Sequence, residues 1–246
     1  MEHSKLYTKT GDKGTSSLYN GIRLSKSSIY FKLLGDLDEL NCHIGMAKSL
    51  WKENINSNVY SAPGAGAMNY RDKPSVDTNL YYEWYDLSVL TEVQCIIMDI
   101  SSFIATPPWH EAKPIKGNID DCIENWVSKV GFDNERINNI EKYIDRLDSL
   151  VPPIKNFIVP GNNTLVSSIH ICRAVTRRCE RIYLEFLHND LLCYGIYESV
   201  DCHFNNVFIY LNRLSDMFFV LSRFLAQSLE ITEECYSKKR NLFPVL

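Results

Sequence analysis

The sequence predicts an all-α chain, a five-helix up-down bundle. Three observations point there. Apolar residues recur at helical spacing through about five long stretches. Runs that alternate apolar and polar residues between turn signals, the mark of strands, are scarce. Prolines and polar Gly/Asn-rich segments separate the stretches instead of interrupting them. With 246 residues, 45% hydrophobic and 23% charged, the chain suits one large domain over 1–246 with a sizeable core.

Residues 5–28 hold Gly11, Gly14 and Gly21 among Thr8, Thr10, Thr15, Ser16 and Ser17, with Lys9, Lys13 and Lys26. They lack a helical period and read as an extended, glycine-punctuated loop. Glycines let backbone N–H groups approach an anion, and hydroxyls and lysines add donors. No Walker A pattern occurs. Residues 30–52 carry Phe31, Leu34, Leu37, Leu40, Ile44, Ala47 and Leu50 at helical spacing. Residues 53–79 read as a loop-like insertion. Residues 80–106 return to a helical pattern through Leu87, Leu90, Val93, Ile97, Ile100 and Ile104, stopped by Pro107 and Pro108. Residues 109–132 read as a second, irregular insertion. Asn134 to Leu150 reads as a helix ended by Pro152 and Pro153. "NFIVPGNNT" then turns into a helix over 164–188, with Asn163 or Thr164 as its N-cap. The last helix is expected over about 200–229.

Several classes are excluded on composition. A pI near 5.9 with a net charge of -4 argues against a general nucleic-acid binder. No apolar run is expected to reach the roughly 18 residues of a membrane span. The opening "MEHSKLYTKT" is too short and polar for a signal peptide, and it lacks the Arg-rich pattern of a transit peptide. The eight cysteines form no C-x-x-C, and no His pair has zinc-finger spacing. They read as reduced thiols in a cytosol-like compartment, several of them acting as small hydrophobes.

The segment "ICRAVTRRCER" sets Arg173, Arg177 and Arg181 at i, i+4 and i+8, one face of the helix. Arg178 lies one position round, and Glu180 is a nearby counter-charge. Ile169, Val175 and Ile182 suit the core face. Arginine grips phosphate and carboxylate bidentately. In the last helix Asn212, Arg213 and Asp216 interrupt an apolar run, and buried polar groups must be paired. Asp216 is a plausible partner for an arginine of the stripe.

"YTKTGDKGTSSL", "LLGDLDELNCHIGMA", "FIVPGNNTLVSSIHICRAVTRRCERIYLEF" and "YLNRLSDMFFVLSRF" together resemble the four blocks of the PduO-type ATP:cob(I)alamin adenosyltransferases, in the family's order. The resemblance spans nearly the whole chain apart from the two insertions. It implies a bundle assembled as a homotrimer, with active sites between neighbouring subunits. It implies transfer of the 5′-deoxyadenosyl group of ATP to the cobalt of cob(I)alamin, with Mg²⁺ accompanying the nucleotide. The ATP site it implies comprises Thr8, Lys9, Thr10, Gly11, Ser16, Ser17, Lys26, Arg177, Arg178, Glu180, Arg181 and Asn212. Arg173 would form an intersubunit ion pair with Asp38. Phe157 would sit under the corrin ring and displace the lower cobalt ligand, and His170 falls in the same cobalamin-side block. Asp38, Phe157, Arg173 and Arg177 are the expected catalytic group, and no protein side chain is assigned to the metal. Where the family usually has Pro-Gly-Gly, this chain has Pro160-Gly161-Asn162; Asn tolerates the left-handed backbone better than most residues. A reductase and a cobalamin-dependent mutase are the expected protein partners. The expected compartment is the cytoplasm, or the mitochondrion if a targeting segment precedes the chain.

Two rival readings share the fold. A ferritin-like di-iron site needs two Glu-x-x-His motifs, and only Glu185 to His188 is present. A non-catalytic ATP- and cobalamin-binding chaperone would keep the fold without turnover.

Overall fold

The computed structural model describes residues 7, 9–61, 86–107, 119–188 and 197–237. Six helices carry these residues: α1 (Ile29–Ser61), α2 (Ser88–Ala105), α3 (Ile119–Val130), α4 (Glu135–Asp148), α5 (Thr164–Phe186) and α6 (Tyr197–Ser228). All but α3 form the expected bundle. Four short strands accompany them. β1 (Thr15–Ser17) and β2 (Arg23–Ser25) make an antiparallel hairpin inside the N-terminal loop, and β3 (Ile158–Val159) pairs antiparallel with β4 (Glu234–Cys235).

The helices form where apolar side chains recur every three or four residues. On α1, Tyr30, Leu33, Leu37, Leu40, Ile44, Ala47, Trp51 and Ile55 make one buried stripe. That stripe explains why α1 runs past residue 53, where a loop is expected from the sequence. Ile55 extends the apolar face one turn beyond Trp51. Asn54 is accommodated because its Nδ2 donates to the Leu50 carbonyl at 2.8 Å, one turn back. The rest of the first insertion, 62–79, lies outside the described residues.

The second correction is α3, inside the stretch expected to be irregular. It is anchored by Trp126, whose ring lies 4.8 Å from Phe103 and 5.8 Å from Phe204 and whose Nε1 donates to the Thr106 carbonyl at 2.6 Å, with Val127 and Val130 packed on the core beside it. The acidic and amide residues between these anchors obscure their period in the sequence. The helix ends at Gly131, where a Cβ would stand 2.4 Å from the Val127 carbonyl oxygen, so only glycine fits.

α5 lies between α1 and α6, with α2 on the far side of α1 and α4 on the far side of α6. Arg136 of α4 meets Asp99 of α2 at 2.8 Å and closes the ring. α2 corrects a further expectation: its 18 residues have a mean hydropathy of 1.4, long and apolar enough by length and composition to cross a membrane. Here Leu90, Val93, Ile97, Ile100, Phe103 and Ile104 bury one face in the bundle, while Thr91, Glu92 and Asp99 occupy the exposed one.

Among the described residues six cysteines are free: Cys172 and Cys179 buried, Cys42, Cys95, Cys202 and Cys235 exposed. Burial pushes the Cys172 and Cys179 thiols up to about 12, so both serve as core hydrophobes and not as nucleophiles.

Candidate functional site

α5 owes its start to Asn163, in extended backbone, whose Oδ1 accepts from the N–H groups of Leu165 at 2.8 Å and Val166 at 3.3 Å. The turn before it uses Asn162 at φ +69°, the left-handed conformation that asparagine tolerates. Asn162 Nδ2 also donates to the Thr232 carbonyl at 3.2 Å, tying the turn to the segment before β4.

From that start the helix buries Ile169, Val175 and Ile182 and turns Arg177 and Arg181 outward. Arg178, one position round, points to α1 instead. Its Nε lies 2.9 Å from Asp36 Oδ1, and its Nη2 is bonded to Glu39. Lys32 of α1 meets Glu185 one turn further along, at 3.2 Å. Glu180, expected beside an arginine, instead accepts a hydrogen bond from Asn212 Nδ2 at 2.9 Å. Asn212 Oδ1 accepts from Arg213 Nη1 at 3.0 Å, and Arg213 Nε reaches Glu141 at 2.7 Å. The polar residues that interrupt α6 thus join α5, α6 and α4 in one network.

Arg173 and Arg177 open into a groove of about 620 Å³ between α5, α6 and the 154–158 loop. Phe157, Ser215, Asp216, Phe219 and Tyr236 complete its walls. Phe157 is 84% exposed, which removes the reading of it as a core residue. The Arg173 guanidinium stands over the Phe219 ring at 5.7 Å. Asp216 faces the groove, but among the described residues it makes no ion pair with an arginine. The groove therefore carries guanidinium groups and aromatic rings together, with the Asp216 carboxylate among them. That suits a ligand with an anionic tail and a flat apolar face.

His170 lies outside this groove. It is buried under the β3–β4 pair, 6.5 Å from Phe219, and its Nδ1 has no partner among the described residues. Burial first, and the Arg173 charge second, lower its pKa from 6.5 to about 4, so the ring is neutral.

The N-terminal loop is ordered by a residue the sequence reading passed over. Arg23 Nη2 donates to the Thr10 carbonyl and to Thr15 Oγ1, each at 2.7 Å, and Nη1 reaches Ser17 Oγ at 3.4 Å. A lone arginine amid Ser, Thr and Gly was the available signal. Gly11 packs so closely on Lys26 that a Cβ would stand 3.1 Å from Nζ. Lys9, in left-handed backbone, Thr10 and Ser16 belong to the same loop, and Thr8 lies outside the described residues. Tyr19 N–H donates to the Ala105 carbonyl at 3.0 Å, which seats the loop at the end of the bundle where α2 stops. Among the described residues, none from the N-terminal loop lines the groove, so the described part of one chain does not bring the two expected halves of the nucleotide site together. Nor does it pair Asp38 with Arg173: Asp38 is exposed on α1, and among the described residues no ion pair joins them.

The sequence profile of the cobalamin adenosyltransferases matches residues 6–225. The chain belongs to that family. A corrinoid adenosyltransferase of Mus musculus, MMAB, is 31% identical over 234 residues, covering 95% of this chain and 78% of its own length. A cobalamin adenosyltransferase of Cupriavidus metallidurans is 28% identical over 223 residues, covering 90% and 88%. Among solved structures, a variant of the PduO-type ATP:corrinoid adenosyltransferase from Lactobacillus reuteri, complexed with cobalamin and ATP, superposes with a TM-score of 0.65 at 25% identity, covering 97% of this chain and all of that one. The adenosyltransferase fold accounts for the five-helix bundle, in which Arg173 and Arg177 lie on the fourth helix.

Proposed function

We propose that this adenosyltransferase moves the 5′-deoxyadenosyl group of ATP to the cobalt of cob(I)alamin, giving adenosylcobalamin and triphosphate. The observation that carries the reading is the groove itself, lined by two arginines and an exposed phenylalanine, in a chain of this family. The cobalt(I) electron pair forms a bond to C5′ of ATP. The C5′–O bond breaks, and its electron pair leaves on the triphosphate. Reduced cobalt is a strong nucleophile and needs no general base.

The chain's own residues have two tasks. They hold C5′ in line with the cobalt, a proximity effect of up to roughly 7–11 kcal/mol. They also stabilise charge on the departing triphosphate, which is the role of Arg177 and Arg181. The guanidinium of Arg178 is committed to Asp36 and Glu39. Its contribution is to fix α5 against α1 so that its neighbours face outward. Phe157 covers the lower face of the corrin and keeps water and an axial ligand from the cobalt.

Among the described residues no group of three or more His, Cys, Asp or Glu gathers to hold a metal ion. Mg²⁺ is accordingly proposed as arriving on the nucleotide phosphates. The separation of loop and groove within one chain supports a homotrimer, with the loop of one protomer completing the groove of the next and Asp38 meeting Arg173 across the seam.

The test is direct. Purified protein with ATP and reduced cobalamin should form light-sensitive adenosylcobalamin in proportion to triphosphate released. Retained ATP binding with no product would replace the enzyme by a ligand-carrying relative of the same fold.

A further inference from the structure

Phe157 stands in a loop with little burial of its own: residues 152–157 are all exposed. Such a segment has to take its position from polar anchors. Gln227 Nε2 of α6 donates to the Leu150 carbonyl at 3.1 Å, and Arg223 Nη2 of α6 donates to the Pro152 carbonyl at 2.7 Å. On the far side, Tyr236 N–H donates to the Phe157 carbonyl at 2.7 Å, and β3 pairs with β4. The strand that leads into Tyr236 needs fixing too. Arg223 Nε approaches Glu233 Oε1 at 3.4 Å, one residue before β4. One guanidinium therefore reaches both the entry to the Phe157 loop and the base of the strand that flanks its exit.

Arg223 is only 4% exposed. It makes one short hydrogen bond and one long ion contact, and Nη1 has no partner among the described residues. A buried guanidinium so poorly satisfied is a weak source of stability, because desolvation outweighs what the contacts return. What the charge does supply is a fixed relation between two chain segments. It does so one helical turn beyond Phe219, which lines the groove.

We infer that Arg223 is a positioning residue for the cobalamin-facing wall, clamping the Pro152 carbonyl and Glu233 so that Phe157 and Tyr236 keep their places side by side in that wall. The inference rests on the proposed function, which names what that wall faces.

The test compares Arg223→Met, which keeps length and removes the charge, with Arg223→Lys and with Glu233→Gln. Two assays are read, one from cobalt(II) with a reductant and one from pre-reduced cobalamin, alongside the KM for ATP and hydrogen exchange at the Tyr236 amide. Arg223→Met should raise the cobalamin KM and slow the cobalt(II)-dependent reaction by about tenfold, leave the ATP KM within about twofold, and speed exchange at Tyr236. Arg223→Lys should recover part of the loss, and Glu233→Gln should shift the same quantities less. ATP and cobalamin parameters changing by one common factor would overturn the inference, as would unaltered exchange at Tyr236 or unaltered kinetics with faster exchange. If Arg223→Met does not fold, Glu233→Gln decides by the same criteria. If the unmutated protein forms no adenosylcobalamin, the proposed function fails. Arg223 is then judged by Tyr236 exchange and by cob(II)alamin affinity measured from its absorbance.

Discussion

Replacing Phe157 by alanine separates a groove residue from a core residue. The side chain is 84% exposed, so about one-sixth of its surface is covered by protein. Full burial of a phenylalanine is worth roughly 1.5–3 kcal/mol, which leaves roughly 0.2–0.5 kcal/mol at stake here. In a domain of this size that lowers Tm by no more than about 2 °C. A packed phenylalanine would lose about 3–5 kcal/mol and several times that shift. The catalytic effect should run the other way. Without the ring, water and an axial ligand reach the cobalt, and reduction of cobalt(II) becomes harder. The cobalt(II)-dependent rate should fall by about tenfold or more, a barrier increase of about 1.4 kcal/mol, while the reaction from pre-reduced cobalamin falls far less. Thermal melting and the two assays, run on the same preparation, measure all three quantities. A Tm loss above about 6 °C, or equal losses in both assays, would refute the reasoning.

The remaining expectations concern the other parts of the site. Arg177→Ala should weaken ATP binding by about tenfold or more and nearly abolish turnover, read by equilibrium dialysis and product formation; unchanged kinetics would detach it from the phosphates. Asn163→Ala removes the acceptor for Leu165 and Val166 N–H and should cost about 1 kcal/mol, a Tm loss of about 2–4 °C, with ATP affinity intact. His170 is held neutral with its pKa lowered from 6.5 to about 4, so between those values the unfolded chain binds a proton there that the fold does not. Stability from this site is complete above pH 6.5 and is lost as pH falls towards 4, and His170→Phe should flatten the slope of Tm against pH across that window. Asp38→Ala should reduce assembly and activity together in sedimentation and turnover measurements; a fully active trimer would remove the proposed pair with Arg173.

The parts of this molecule with local signatures could be read from the chain alone. The cap at Asn163, the left-handed Asn162 and the outward face of Arg177 and Arg181 all follow from residues within one or two turns of each other. What escaped the reading depends on distant partners or faint periods. Arg178 finds Asp36 and Glu39 across 142 and 139 residues of sequence, so nothing beside it reveals that its charge is occupied. α3 rests on Trp126, Val127 and Val130 set among polar residues, and α1 runs on past Trp51 through Ile55, which stands among asparagines that resemble a loop. The aromatic wall of the groove needs Tyr236 beside Phe157, a pairing made only when β4 returns to β3.

The register of α1 against α5 also bears on how the chain emerges during synthesis. α1 is complete at Ser61, while its partner does not begin until Thr164. Translation of the intervening stretch of about 100 residues takes roughly 5–20 s. Over that interval the Leu33, Leu37, Leu40 and Trp51 ridge lacks its α5 cover, and the Lys32–Glu185 and Arg178–Asp36 ties cannot form. The nascent protein thus keeps part of that apolar ridge without its native cover until the arginine-bearing helix arrives.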